Sequence, residues 1–224
     1  MGAYTNALLL LDRPVFEAAQ EYGYSEPNLL LLSGKDEELH LNFPAVYEDI
    51  QSCAHNADAR SPMDYARDLV ASWVVEDWFL RLLREADCEA SAVGSDRYRN
   101  ILPGCVVSSA SDFQVRYQGQ ELRVELLCDY TGFWRKHGKI DLRDAKYQHL
   151  RKEKALVFGA DALWQRAILL DMGEEIPGIV QAGSYKPYGG KPAVRVPCRE
   201  EEFFPLEASR LAERLHAKFL AASA

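Results

Sequence analysis

The 224-residue chain predicts an α/β fold in which helices flank a central sheet, and three observations carry that prediction. A long helical stretch opens at Ser61-Pro62. Two segments of strict polar–apolar alternation follow it, and a basic helical segment leads from them to another apolar strand. Hydrophobic residues make up 48% of the chain, with 11 Tyr, 9 Phe and 4 Trp, which is enough for one sizeable packed core.

Residues 1–60 contain a short helical stretch at 14–22 and apolar runs at 29–32 and 39–43. They read as an N-terminal elaboration packed on a core of residues 61–175. In that core Ser61 is an N-cap, Pro62 fits the first helical position, and Asp64 suits the first turn. The helix should reach about residue 86, with Leu69, Trp73, Leu80 and Leu83 as its buried stripe. Glu76 falls on the same stripe. A carboxylate there needs a partner, a proton or a metal; the alternative is an acid at the stripe's edge paired with an arginine.

Residues 109–117 and 121–130 read as two strands joined at Gln118-Gly119. Phe113, Val115 and Tyr117 alternate with Asp112, Gln114 and Arg116. Leu122, Val124, Leu126 and Cys128 alternate with Arg123, Glu125, Leu127 and Asp129. With Tyr117 facing Gln120, Asp112 stands opposite Glu125. A slip of one residue would mix the apolar set with the polar one, so the hydrophobic pattern itself selects the register that pairs the acids.

Residues 135–154 hold eight Lys or Arg against three acids, in a chain whose formal net charge is −8. A short strand is expected at 139–142, a helix from Arg143 onward, and a buried strand at 163–172. Residues 176–224 complete the same domain with a glycine- and proline-rich loop at 184–192, a strand at 193–196 and an amphipathic helix at 206–222.

The acidic balance argues against a protein that coats nucleic acid non-specifically, while leaving room for a local basic groove. Five cysteines without a CxxC pair suggest reduced thiols and cytoplasmic residence. The apolar run at 7–11 lacks the basic flank of a secretory signal, and no stretch approaches the roughly 20 apolar residues of a membrane span. Walker A, GxGxxG and GxSxG motifs are missing, so neither a nucleotide cofactor nor a serine-hydrolase elbow is expected.

Two opposed carboxylates repel unless a positive group lies between them. Hard oxygen ligands of this kind suit Mg2+ or Mn2+, and a metal-activated water could then attack a phosphodiester. Cross-strand ion pairs with Arg123 and Arg116 are the alternative. The order of elements resembles the PD-(D/E)XK nucleases, which include restriction endonucleases and Holliday-junction resolvases. The resemblance covers roughly residues 61–172 and rests on Glu76 in VVEDW, Asp112 in SASDF, Glu125 in VELLC and the segment GKIDLRDAKYQHL.

That resemblance implies a mixed, restriction-endonuclease-like central sheet flanked by helices and a magnesium-dependent DNA endonuclease. It makes Asp112 and Glu125 the metal ligands and Glu76 an auxiliary acid. It also implies a homodimer, since two-strand cleavage commonly uses two copies of such a site. The motif lysine should stand two residues after Glu125, where this chain has Leu127. Lys146 is the first replacement candidate, from the helix beside the hairpin, and Lys139 the second. DNA contacts are expected from Arg135, Lys136, Lys139, Lys186 and Lys191. Leu127 also supports a second reading, in which a catalytically inactive nuclease fold serves as a DNA-binding or assembly protein.

Overall fold

The computed structural model describes residues 7–53, 60–106, 110–117, 119–185 and 189–222. The chain begins with short helices α1 (Leu8–Leu11), α2 (Val15–Glu21), α3 (Glu26–Leu32), α4 (Asp36–Asn42) and α5 (Pro44–Gln51). The long helix α6 (Pro62–Glu85) leads to strands β1 (Glu89–Ala92), β2 (Phe113–Tyr117) and β3 (Gln120–Asp129). Helix α7 (Phe133–His137), strand β4 (Lys139–Arg143), helix α8 (Asp144–Glu153) and strands β5 (Leu156–Asp161) and β6 (Arg166–Asp171) come next. Strands β7 (Val180–Ala182), β8 (Ala193–Pro197) and β9 (Phe204–Pro205) precede the last helix, α9 (Ala208–Ala222).

Two compact units result, Met1–Trp78 with Gly94–Ser108, and Phe79–Val93 with Ser109–Ala224. The chain passes from one to the other inside α6 rather than at residue 60, where the sequence suggests a boundary. No helix among the described residues is long and apolar enough to cross a membrane.

In the first unit the apolar runs of residues 29–32 and 39–43 lie in or beside α3 and α4. Leu31, Leu32, Leu39 and Ile50 are buried there. Helix α6 starts where the sequence places it: Ser61 Oγ accepts from the Asp64 N–H at 3.1 Å and donates to its carboxylate at 2.8 Å. The expected single stripe is too narrow. Val70, Ala71, Trp73, Val74 and Val75 are all buried, whereas Leu69 is partly exposed. A helix that is apolar on several sides is packed on several sides.

The second unit is built on a mixed six-stranded sheet of order β1-β2-β3-β5-β6-β9. Its neighbours run antiparallel except β3 and β5, which are parallel. Parallel neighbours need a long crossover, and α7, β4 and α8 supply it. Strand β4 pairs outside the main sheet, in a three-stranded sheet of order β4-β8-β7. One face of the main sheet packs on the end of α6 through Phe79, whose ring lies 4.5 Å from Phe158 and 5.3 Å from Phe113.

The strand expected at 163–172 is β6, which runs from Arg166 to Asp171 with Ala167, Ile168 and Leu170 buried. The sequence reading lacks the strand before it: Leu156–Asp161 forms β5 and is buried at all six positions. Its segment LVFGAD directly after a helix has no alternation to mark it, because a strand between two others is covered on both faces. Strand β1 carries no apolar alternation either, since it is an edge strand whose exposed and half-buried residues alternate.

Gly159, opposite Leu127 in β3, lets the indole of Trp134 lie against β5. A Cβ at this position would stand 2.8 Å from Ile168 Cγ2 and 3.0 Å from Trp134 Cζ3. Gly159→Ala is therefore expected to cost about 1–3 kcal/mol through overpacking. Urea denaturation would measure it, and an unchanged midpoint would contradict the packing described.

Candidate active site

The hairpin register is the one the alternation requires. Tyr117 pairs with Gln120 and Phe113 with Val124. Continued by one residue, it sets Asp112 opposite Glu125. Phe113, Val115 and Val124 are buried on the Phe79 side of the sheet. The acids belong to the other face, which α8 and the three-stranded sheet cover. Val157, Ile168, Tyr147, Leu150 and Val196 form the apolar cluster there.

Asp112 is fixed from two sides. Its backbone carbonyl accepts from Val93 N–H at 2.9 Å, and its Oδ2 accepts from Leu126 N–H at 2.9 Å. Glu125 is 5% exposed and meets Lys146, whose Nζ lies 2.7 Å from Glu125 Oε2. A carboxylate this deep needs a cation or several donors, and α8 delivers one across the sheet face. Lys146 Nζ also donates to the Ala110 carbonyl at 3.0 Å. Glu125 and Lys146 are thus brought together on the sheet face to which the register assigns Asp112, with Lys146 coming from α8.

Leu127 follows Glu125 on the same face and packs against the apolar cluster, as a partly buried residue next to Trp134 and Ile140. A lysine there would carry its stem into that cluster. Leucine is the residue this environment favours. In the alternative reading Arg116 and Arg123 would pair with the acids; here Glu125 meets Lys146, and Arg116 turns to other carboxylates. Arg116 lies between Glu89 at 3.6 Å and Glu121 at 3.4 Å, on an exposed part of the hairpin.

Two further residues position the site and were not anticipated. Ser111, 1% exposed, donates to Glu153 Oε2 at 2.6 Å. Glu153 also meets His149 Nε2 at 3.3 Å, one turn earlier on α8. Lys146 and Glu153 are seven residues apart and share a helix face, so together they clamp Ala110-Ser111 against α8 just before Asp112. The spacing was visible in the sequence, but its partner segment, just before β2, lies more than 30 residues away in the chain.

Glu76 lies in the first unit, where Arg99 Nη1 reaches its Oε2 at 2.6 Å. Arg99 also holds Asp77 Oδ1, at 2.6 Å through Nη2 and 3.1 Å through Nε, and Tyr24 donates to Asp77 Oδ2 at 2.6 Å. Burial works against the Arg99 cation, yet Glu76 and Asp77 outweigh it and hold the guanidinium above its ordinary pKa. An arginine partner is the alternative to a metal or a proton that the sequence offers for this carboxylate, and Arg99 supplies it.

Among the expected DNA contacts, Arg135, Lys136 and Lys191 are exposed, and Arg135 stacks 4.1 Å from the Trp164 ring. Lys139 directs Nζ towards the Phe133 ring, 5.7 Å from its centre. Lys186 lies outside the described residues. Asp129, 5% exposed, accepts from Thr131 and Trp134 N–H at 2.8 Å each and turns the chain into α7.

No group of three or more His, Cys, Asp or Glu suited to a metal occurs among the described residues. Magnesium, however, is commonly held by only one or two carboxylates together with waters and substrate phosphates. Asp112 and Glu125 are a hard-oxygen set of that size. Neither a family model, nor a curated protein, nor a solved structure matches this chain.

Proposed function

We propose that this protein is a divalent-metal-dependent endonuclease of restriction-endonuclease-like fold that hydrolyses phosphodiester bonds in DNA. One observation carries the reading: Lys146 Nζ stands 2.7 Å from Glu125 on the sheet face that Asp112 shares. A lysine beside two opposed acids is the set that the resemblance requires, completed from α8 where Leu127 leaves a gap. The order of elements supports it as well: a long helix, antiparallel strands bearing the acids, a basic helix and a buried parallel strand.

In this reading Asp112 and Glu125 would hold Mg2+ or Mn2+. Bound there, the ion would supply Lewis-acid charge at the phosphate and a nucleophilic water at neutral pH. The chain's own part is preorganisation. Leu126 N–H holds the Asp112 carboxylate and Lys146 holds that of Glu125, so neither has to reorient when charge develops. Lys146 also places a positive charge beside the scissile phosphate. Arg135, Lys136, Lys139 and Lys191 offer the phosphate backbone a local positive field on an acidic body. Cutting both strands then calls for two copies of the site, hence a homodimer.

The test is cleavage of supercoiled plasmid and branched DNA with Mg2+ or Mn2+. Asp112→Ala and Glu125→Ala should each slow cleavage at least about 10²–10³-fold. Equal cleavage by all three proteins would mean a contaminant and would overturn the assignment. The packing of Leu127 into the apolar cluster favours the second reading, a nuclease fold retained for DNA binding or assembly. Binding without cleavage under either metal would select it.

A further inference from the structure

Beside the acids, on the same face of β3, a cleft of about 420 Å³ opens among Leu127, Phe133, Trp134, Ile140, Asp141 and Tyr185. Its size falls within the about 300–1,000 Å³ of small-molecule sites, and its make-up is theirs too: apolar and aromatic walls with few polar groups. The polar group is Asp141, whose side chain is only 6% exposed. Tyr185 donates its hydroxyl to Asp141 Oδ2, and Arg195 Nε lies 3.5 Å from Oδ1. Tyr185 is held by its backbone, its N–H donating to the Lys191 carbonyl at 3.2 Å and its carbonyl accepting from the Gly190 N–H at 3.0 Å.

We infer that this cleft receives a single unstacked nucleobase of the DNA strand whose phosphate lies at Glu125 and Lys146. The inference rests on the nuclease reading and adds a base subsite to it. Distance supports it, since Leu127 is two residues along the strand from Glu125, about 7 Å. Chemistry supports it too. A flat heterocycle can stack on Tyr185 and Phe133, and the Asp141 carboxylate can accept from a base N–H donor. Charge adds to the fit, because Lys139 lies 5.7 Å from the ring of Phe133 and Arg195 5.4 Å from that of Tyr185, two cations next to the aromatic walls that a nucleotide's phosphate could meet.

The experiment uses the full chain in EDTA, so that binding is read without cleavage. The probes are a short single-stranded oligonucleotide with one 2-aminopurine and the same strand with an abasic site in its place. The parent protein should quench 2-aminopurine fluorescence and bind the base-bearing strand roughly tenfold more tightly than the abasic one. Tyr185→Ala, a loop substitution, should bring the two strands to within about twofold of each other. Asp141→Asn should weaken the base-bearing strand alone. Equal affinity of the parent for both strands would overturn the base subsite while leaving the nuclease reading intact. No binding of either strand would likewise overturn the base subsite, and the cleavage assay on plasmid and branched DNA with Mg2+ or Mn2+ decides the nuclease reading separately.

Discussion

Lys146→Met is expected to lower metal-dependent cleavage by about 10²–10³-fold while leaving DNA affinity within a fewfold of the parent. Methionine keeps the stem that packs along α8 and removes the ammonium that sits 2.7 Å from Glu125. The magnitude is that of deleting one preorganised charge-stabilising group from a site shielded from water. Lys146 also ties down Ala110, so a purely structural loss has to be separated from a chemical one. Thermal melting measures the first. Lys146→Arg, which keeps a cation beside Glu125, measures the second and should recover part of the rate. Parent-like cleavage by Lys146→Met would remove the lysine from the chemistry and return the gap at Leu127 to the site.

The second large effect is on stability. Arg99→Met should destabilise the first unit by about 3–5 kcal/mol, because it strands Glu76 and Asp77 next to each other with their shared cation gone. The three side chains are between 13% and 23% exposed, so solvent screens the loss only in part. Glu76→Gln should cost less, since it removes one charge and keeps a hydrogen-bond acceptor for the guanidinium. Chemical denaturation of the two variants gives the comparison. An Arg99→Met protein as stable as the parent would show that the pair is held by solvent rather than by burial.

What could be read from the sequence divides along the range of the interactions. Ser61-Pro62 announced α6 because a helix cap is a matter of three or four neighbouring residues. Strands β2 and β3 were readable because each has one apolar face, and the two-residue period survives in the sequence. Strand β5, covered on both faces, has no such period and is not marked in the sequence, whereas its neighbour β6 falls within the apolar run at 163–172. The broad burial of α6 escaped for the same reason: apolar residues on several sides blur a stripe. The place where α6 leaves one unit for the other is not marked in its sequence at all.

The candidate site shows the same division. Asp112 opposite Glu125 was determined by the sequence alone, because any other register would exchange the buried set for the polar set along the whole hairpin. Lys146 could be named as a candidate but not placed. Its contact with Glu125 depends on a parallel β3–β5 pair, on a crossover that lays α8 over one face, and on Gly159 leaving room for Trp134 beneath it. These contacts join residues distant in the chain, whose partners no local pattern specifies. The same packing explains Leu127. The alternation placed it on the acids' own face, and only the family resemblance made it a position where a lysine is expected. The tertiary structure makes it a wall residue of an apolar cluster, where a charged side chain would be costly, and the cation that meets Glu125 is Lys146 from α8.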